Sequence, residues 1–188
     1  MYVNLFSINI LCFSYIINRV IFLKKFKSWN IAGFIFTLIS GVLLHFAYEW
    51  SGENPIVSFI APVNESIWEH LKLIFWPTFF FMIAEYFAYG KSENDFFAIR
   101  MSGIFCSIAF TVISFYTYSG ILGFNLFGVD IAIFLISVFC CRFVIHFLTK
   151  QKPSDDNSMS FRGLVVILLW ALCFVLWTHN PPSLAIFM

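Results

Sequence analysis

Glu65, Ser66, Glu69, His70 and Lys72 stand together in one stretch, PVNESIWEHLKLIFWP, and their types are those of acid–base chemistry. On a helix Glu65, Glu69 and Lys72 fall at i, i+4 and i+7, within about 40° of one face, and Ser66 and His70 form a second i, i+4 pair beside them. Two carboxylates one turn apart repel unless a cation or a shared proton lies between them, so the pattern calls for a lysine or a metal ion. Glu65, Glu69 and His70 are therefore candidate catalytic groups, with Ser66 offering a hydrogen bond to a bound water or oxyanion.

A second pair, His45 and Glu49, ends a row in which Gly33, Thr37, Gly41, His45 and Glu49 each follow the last by four residues. Small residues at that spacing let helices approach closely in lipid, which turns His45 and Glu49 into the bundle. His45 and His70, joined by His179 from WTHNPP near the other end of the chain, form a candidate set of ligands for a divalent metal such as zinc. Asn64, Lys72, Glu49 and Asp130 are candidates for holding a substrate or partner.

Helix-start chemistry accounts for part of this. SIWE matches the S-x-x-E capping box, Asn64 is a possible N-cap one turn earlier, and Asp130 suits the start of a later helix. Capping leaves Glu65, His70 and Lys72 unexplained, and ionisable groups inside a membrane are functional by default.

The elements that carry these residues must be apolar helices. The 188 residues are 61% hydrophobic and only 11% charged, with 27 phenylalanines, whereas globular chains are about 45–50% apolar and about 25% charged. Spans of roughly 20 apolar residues recur at about 5–23, 31–50, 64–89, 98–118, 129–148 and 161–178. These predict an all-α integral membrane bundle of about six helices, a single domain over 1–188 with the lipid bilayer as its first partner. The connection TKQKPSDDNSMS is too short to bury a soluble core. The first segment lacks a basic leader and a small-residue cleavage site and is read as a retained helix. A net charge of +1 excludes a nucleic-acid footprint. The 5 cysteines lie in apolar segments without zinc-ribbon spacing and read as small buried hydrophobes.

Short cytoplasmic loops collect lysine and arginine. Arg19, Lys24, Lys25 and Lys27 mark the first connection, Lys91 and Arg100 the third, and Arg142, Lys150, Lys152 and Arg162 the fifth. Both chain ends are thereby placed outside, and His45, Glu49, the 64–72 cluster, Asp130 and His179 share the outer leaflet. On the other side Glu85 and His146 look isolated. Pro77 should free the carbonyl of Leu73, and the glycine-rich YSGILGFNLFG connection is expected to dip back as a lid over the outer face.

With HFAYEW, NESIWEHLKL, YTYSGILG and the closing Pro181-Pro182 in view, the chain resembles an uncharacterised family of small bacterial multi-pass membrane proteins. That resemblance covers the second helix onward and implies the architecture and a cell-membrane location. A fainter one is to membrane zinc hydrolases of the alkaline ceramidase and adiponectin-receptor type, whose S-x-x-x-H helix Ser66 and His70 match. Their later H-x-x-x-H helix has no counterpart here. Three functions follow: a metal-dependent membrane hydrolase or transferase on a lipid or envelope substrate, a transporter of a proton, cation or small solute, or a non-catalytic subunit that holds a partner. No oligomeric state follows from these residues.

Overall fold

A computed structural model describes residues 5–151 and 157–187. The described chain is helical throughout, with no strand: α1 (Leu5–Trp50), the short α2 (Pro55–Ser58), α3 (Ile67–Ala88), α4 (Phe96–Leu122), α5 (Phe127–Thr149) and α6 (Asn157–His179), plus 3-10 turns at Gly90–Ser92 and Ala185–Phe187. Five of these helices are long and apolar enough to cross a membrane: Ile17–Trp50 within α1, then Ile67–Ala88, Phe96–Leu122, Phe127–Thr149 and Ser158–His179. Lys152 and the centre of the polar connection after α5 lie outside the described residues.

The break expected between 23 and 31 does not occur, because α1 is one helix of 46 residues. Lys24, Lys25 and Lys27 interrupt the apolar pattern but not the backbone, since lysine is a good helix former and neither glycine nor proline stands between Arg19 and Ala32. At 1.5 Å per residue α1 is about 69 Å long, against a hydrocarbon core of about 30 Å. Polar punctuation in α1 thus marks a change of surroundings along one continuous rod.

The central helix is α3, whose best apolar window is 56% buried against 17% for the windows in α1 and α6. It starts where the capping pattern requires: Ser66 is the N-cap, and its hydroxyl accepts from the Glu69 amide. The return arm of a capping box is missing. The Ser66 amide donates instead to Asn64 Oδ1, 3.0 Å away, which leaves the Glu69 carboxylate available for other partners. Pro77 sits inside α3 without ending it. The Leu73 carbonyl that it deprives of a donor faces α1, where a Cβ on Gly41 would come within 2.8 Å of it. Only a glycine lets the two backbones meet there.

The predicted row on α1 is therefore real packing from Gly33 to His45, while Glu49, expected to turn into the bundle with His45, is exposed. Gly41 meets Leu73, Thr37 meets Thr78 at 3.5 Å between hydroxyl oxygens, and His45 lies ring to ring with His70, centroids 5.3 Å apart. The lid does not form: α4 runs on through Leu122 to Gly123 (φ 76), so residues expected to fold back extend the helix instead. Tyr118 and Asp130 tie the end of α4 to the start of α5, the phenol donating to the carboxylate.

Candidate functional site

His45, Glu65 and His70 converge at one end of the bundle, each offering a ligand atom, and these atoms all lie within 4.8 Å of one another. Three elements deliver them: α1, the strap between α2 and α3, and the first turn of α3. His70 Nδ1 lies 2.9 Å from the Ser66 carbonyl oxygen. A carbonyl only accepts, so Nδ1 carries the hydrogen and Nε2 presents its lone pair. That lone pair faces Glu65 Oε2 at 3.3 Å. Two acceptors at such a separation require a positive charge between them, either a proton on the ring or a metal ion.

His45 Nδ1 is buried with no hydrogen-bond partner among the described residues, an orphan of the kind a ligand would satisfy. Bonds of 2.0–2.1 Å to nitrogen and oxygen in a tetrahedral zinc site imply ligand–ligand edges of about 3.3 Å. The His70–Glu65 separation already equals such an edge. The other separations have to close by up to about 1.5 Å: Glu65, whose side chain is 84% exposed, can move toward His45, and the two imidazoles have to approach by rotation of their own side chains. The residues present thus fit a divalent ion.

His179, expected as the third histidine, is elsewhere. Its Nε2 lies 3.2 Å from Ser58 Oγ, and its ring stands edge-on to Phe59. The Ser58 hydroxyl has a shorter bond to the Pro55 carbonyl, 2.7 Å, so the imidazole donates to Ser58 and pins the end of α6 to α2. Glu65 takes the place of His179 in the cluster. Asp130, held by Tyr118 between α4 and α5, is not brought to it either. Glu49 stands exposed on α1, one turn beyond His45.

Glu69 and Lys72 form a buried ion pair. Lys72 Nζ donates to Glu69 Oε2 at 2.7 Å, to the Ser58 carbonyl at 2.9 Å and to the Ala61 carbonyl at 3.3 Å, using all its hydrogens. Glu69 Oε2 also accepts from the Val63 amide at 3.0 Å. Oε1 lies 3.3 Å from the Thr178 hydroxyl, whose single hydrogen is shared with the Phe174 carbonyl. These two side chains stitch the strap 58–63 onto α3 rather than facing the cluster.

At the other end of α3 a network unforeseen from sequence surrounds Glu85, which is fully buried. Arg142 Nη1 reaches Glu85 Oε1 at 3.2 Å, and Arg100 Nε reaches Oε2 at 3.5 Å. Arg100 also donates to Glu93 at 3.0 Å and to the Tyr89 hydroxyl at 2.8 Å, and its guanidinium lies 3.9 Å from the centroid of Phe96. Glu93, outside the spans, has its carboxyl pushed above the ordinary range by burial, with Arg100 only partly opposing this. The Arg142 guanidinium fills the notch left by Gly33, where a Cβ would meet it at 2.4 Å. The signal was available: Arg142 stands in FCCRFVIHF, deep in an apolar run, where an arginine must have a partner.

Five long apolar helices, of which α3 is the most buried, with the charges of the described residues gathered in internal pairs and at the two ends, define a multi-pass helical membrane protein. Within that class the chain belongs to a family of unknown function, DUF6512, whose family model matches residues 18–188. No curated protein and no solved structure matches it.

Proposed function

We propose that this membrane protein is a metal-dependent hydrolase or transferase acting at the outer leaflet of a cell membrane on a lipid or envelope substrate, with His45, Glu65 and His70 holding a divalent ion of the zinc class. The observation that carries the reading is the 3.3 Å approach of His70 Nε2 to Glu65 Oε2, made while Nδ1 is committed to the Ser66 carbonyl. The unpartnered Nδ1 of His45 supports a second imidazole ligand. Two histidines and a glutamate are the ligand set of catalytic zinc sites, which leave a coordination position open, and an ion held in such a site supplies a Lewis acid there.

Ser66 acts on this site through its carbonyl, orienting His70, since its own hydroxyl caps α3. Glu49, exposed one turn beyond His45, is the carboxylate free to take up and return a proton. The match of Ser66 and His70 to the S-x-x-x-H helix of membrane zinc hydrolases agrees with this assignment. Placement at the outer leaflet rests on the opposite end, where Arg19 and Lys25 cap the carbonyls of Thr149 and Ala88 among the other basic residues. The mutual lock of Glu69 and Lys72 favours an enzyme over a solute path, because both groups a solute would need are already satisfied.

Full-length protein purified in detergent without chelator is expected to carry about one zinc per chain, measured by elemental analysis. His45→Ala and His70→Ala should lose it while remaining folded. A wild-type protein that neither retains zinc nor takes it up on titration sinks the reading.

A further inference from the structure

The strap between α2 and α3 contributes one metal ligand, Glu65, and that ligand is the most exposed of the three. An exposed side chain on a free loop would lose much conformational freedom on binding an ion. Here the loop is not free. Lys72 holds the carbonyls of Ser58 and Ala61, and Glu69 holds the amide of Val63. Asn64 Oδ1 takes the Ser66 amide, so Asn64 and Glu65 form a short projection between fixed points at Val63 and Ser66. Both clamping side chains come from α3, the helix that also presents His70.

Resting on the metal site proposed above, we propose that the buried Glu69–Lys72 pair is a positioning device that holds the 58–66 strap so that Glu65 stands over His45 and His70 as the third metal ligand. The pair touches neither metal nor substrate and acts only through Glu65. Lysine suits this place because its ammonium gathers two carbonyls and a carboxylate around one point. Glutamate suits it because one carboxylate oxygen can serve the lysine and the Val63 amide together. Groups that orient metal ligands from behind are worth about 10- to 100-fold in metal affinity.

The test is a double-mutant cycle on full-length protein in detergent, with zinc titrated against a competing chelator. Removing one partner alone strands a buried charge, so the clamp is removed as Glu69→Gln/Lys72→Met together. Zinc affinity of that variant is expected to fall about 10- to 100-fold, close to the loss caused by Glu65→Ala. Adding the clamp substitutions to Glu65→Ala should weaken zinc no further, because the ligand that the clamp serves is already gone. Wild-type affinity in the clamp-free variant, or losses that simply add to those of Glu65→Ala, overturns the positioning role and leaves the metal site standing. A clamp-free variant that does not fold makes the pair a fold determinant and overturns it equally. Absence of zinc binding by the wild type removes the metal site itself, and this role with it.

Discussion

At one end of α3, Glu65 and His70 leave a carboxylate 84% exposed against an imidazole 29% exposed, with an unpartnered His45 nitrogen beside them. At the other end Glu85 and Arg100 are fully buried and Arg142 nearly so, and Glu85 shares both its oxygens between the two guanidiniums. The same residue classes therefore do opposite things within one helix length. Where charges are enclosed and answered by countercharges, removing one leaves another stranded in a low-dielectric interior, and the arrangement is architectural. Where they are accessible, water satisfies them at little cost and leaves them open to exchange for a ligand, and only the buried His45 nitrogen lacks a partner.

That contrast is open to direct attack. The largest effect should come from Glu85→Ala, which strands the buried Arg142 and leaves Arg100 with Glu93 as its one carboxylate, and is expected to cost about 3–5 kcal/mol of stability, read from thermal or denaturant unfolding in detergent. A loss below about 1 kcal/mol would put the arginine end in the same class as a surface ion pair. Gly33→Ala should cost about 1–3 kcal/mol by driving a Cβ into the Arg142 guanidinium, and the cost should shrink in an Arg142→Ala background.

At the histidine end Glu65→Gln and His70→Ala should each change metal-free stability by less than about 1 kcal/mol. Their effect should emerge with zinc instead: at a hundredfold excess over the wild-type Kd the wild type gains about 2.7 kcal/mol, and a variant whose affinity is 10- to 100-fold weaker gains only about 0.4–1.4 kcal/mol. The smallest effect is a pH slope. Burial raises the Glu93 carboxyl above its ordinary 4.5, so the folded chain holds that proton more readily than the unfolded chain. Its contribution to stability is present below the unfolded value and is lost as pH rises through the raised folded one. Unfolding followed across mildly acidic pH should show stability declining upward through that window, and Glu93→Gln should flatten the decline.

Local features were legible in the residues themselves. The Ser66 cap, the four-residue row on α1 as far as His45 and the apolar spans follow from spacing and composition, which act over a turn or two of helix, and the meeting of His45 with His70 agrees with the shared depth that the loop charges gave them. What escaped depends on distance along the chain. Glu85 looked isolated because its partners stand 15 and 57 residues away, on helices whose rotation no periodicity fixes. His179 looked like a ligand because it ends its helix at the right depth, yet Ser58, 121 residues earlier, claims it. Glu65 looked like one member of a repelling pair with Glu69, but Lys72 neutralises Glu69 internally and leaves Glu65 free. The unbroken α1 was hidden because lysines change hydropathy without changing helix propensity.

One consequence of that unbroken helix concerns mechanics. His45 belongs to the histidine end, Gly33 seats Arg142, and Arg19 grips the carbonyls of Thr149 and Gln151. All three ride on a single stiff shaft, with His45 and Gly33 about 18 Å apart along its axis. A rod cannot slide at one point and stay still at another. Any axial slip or turn that draws His45 toward a ligand is delivered undiminished to the arginine socket, so the two ends share one moving part.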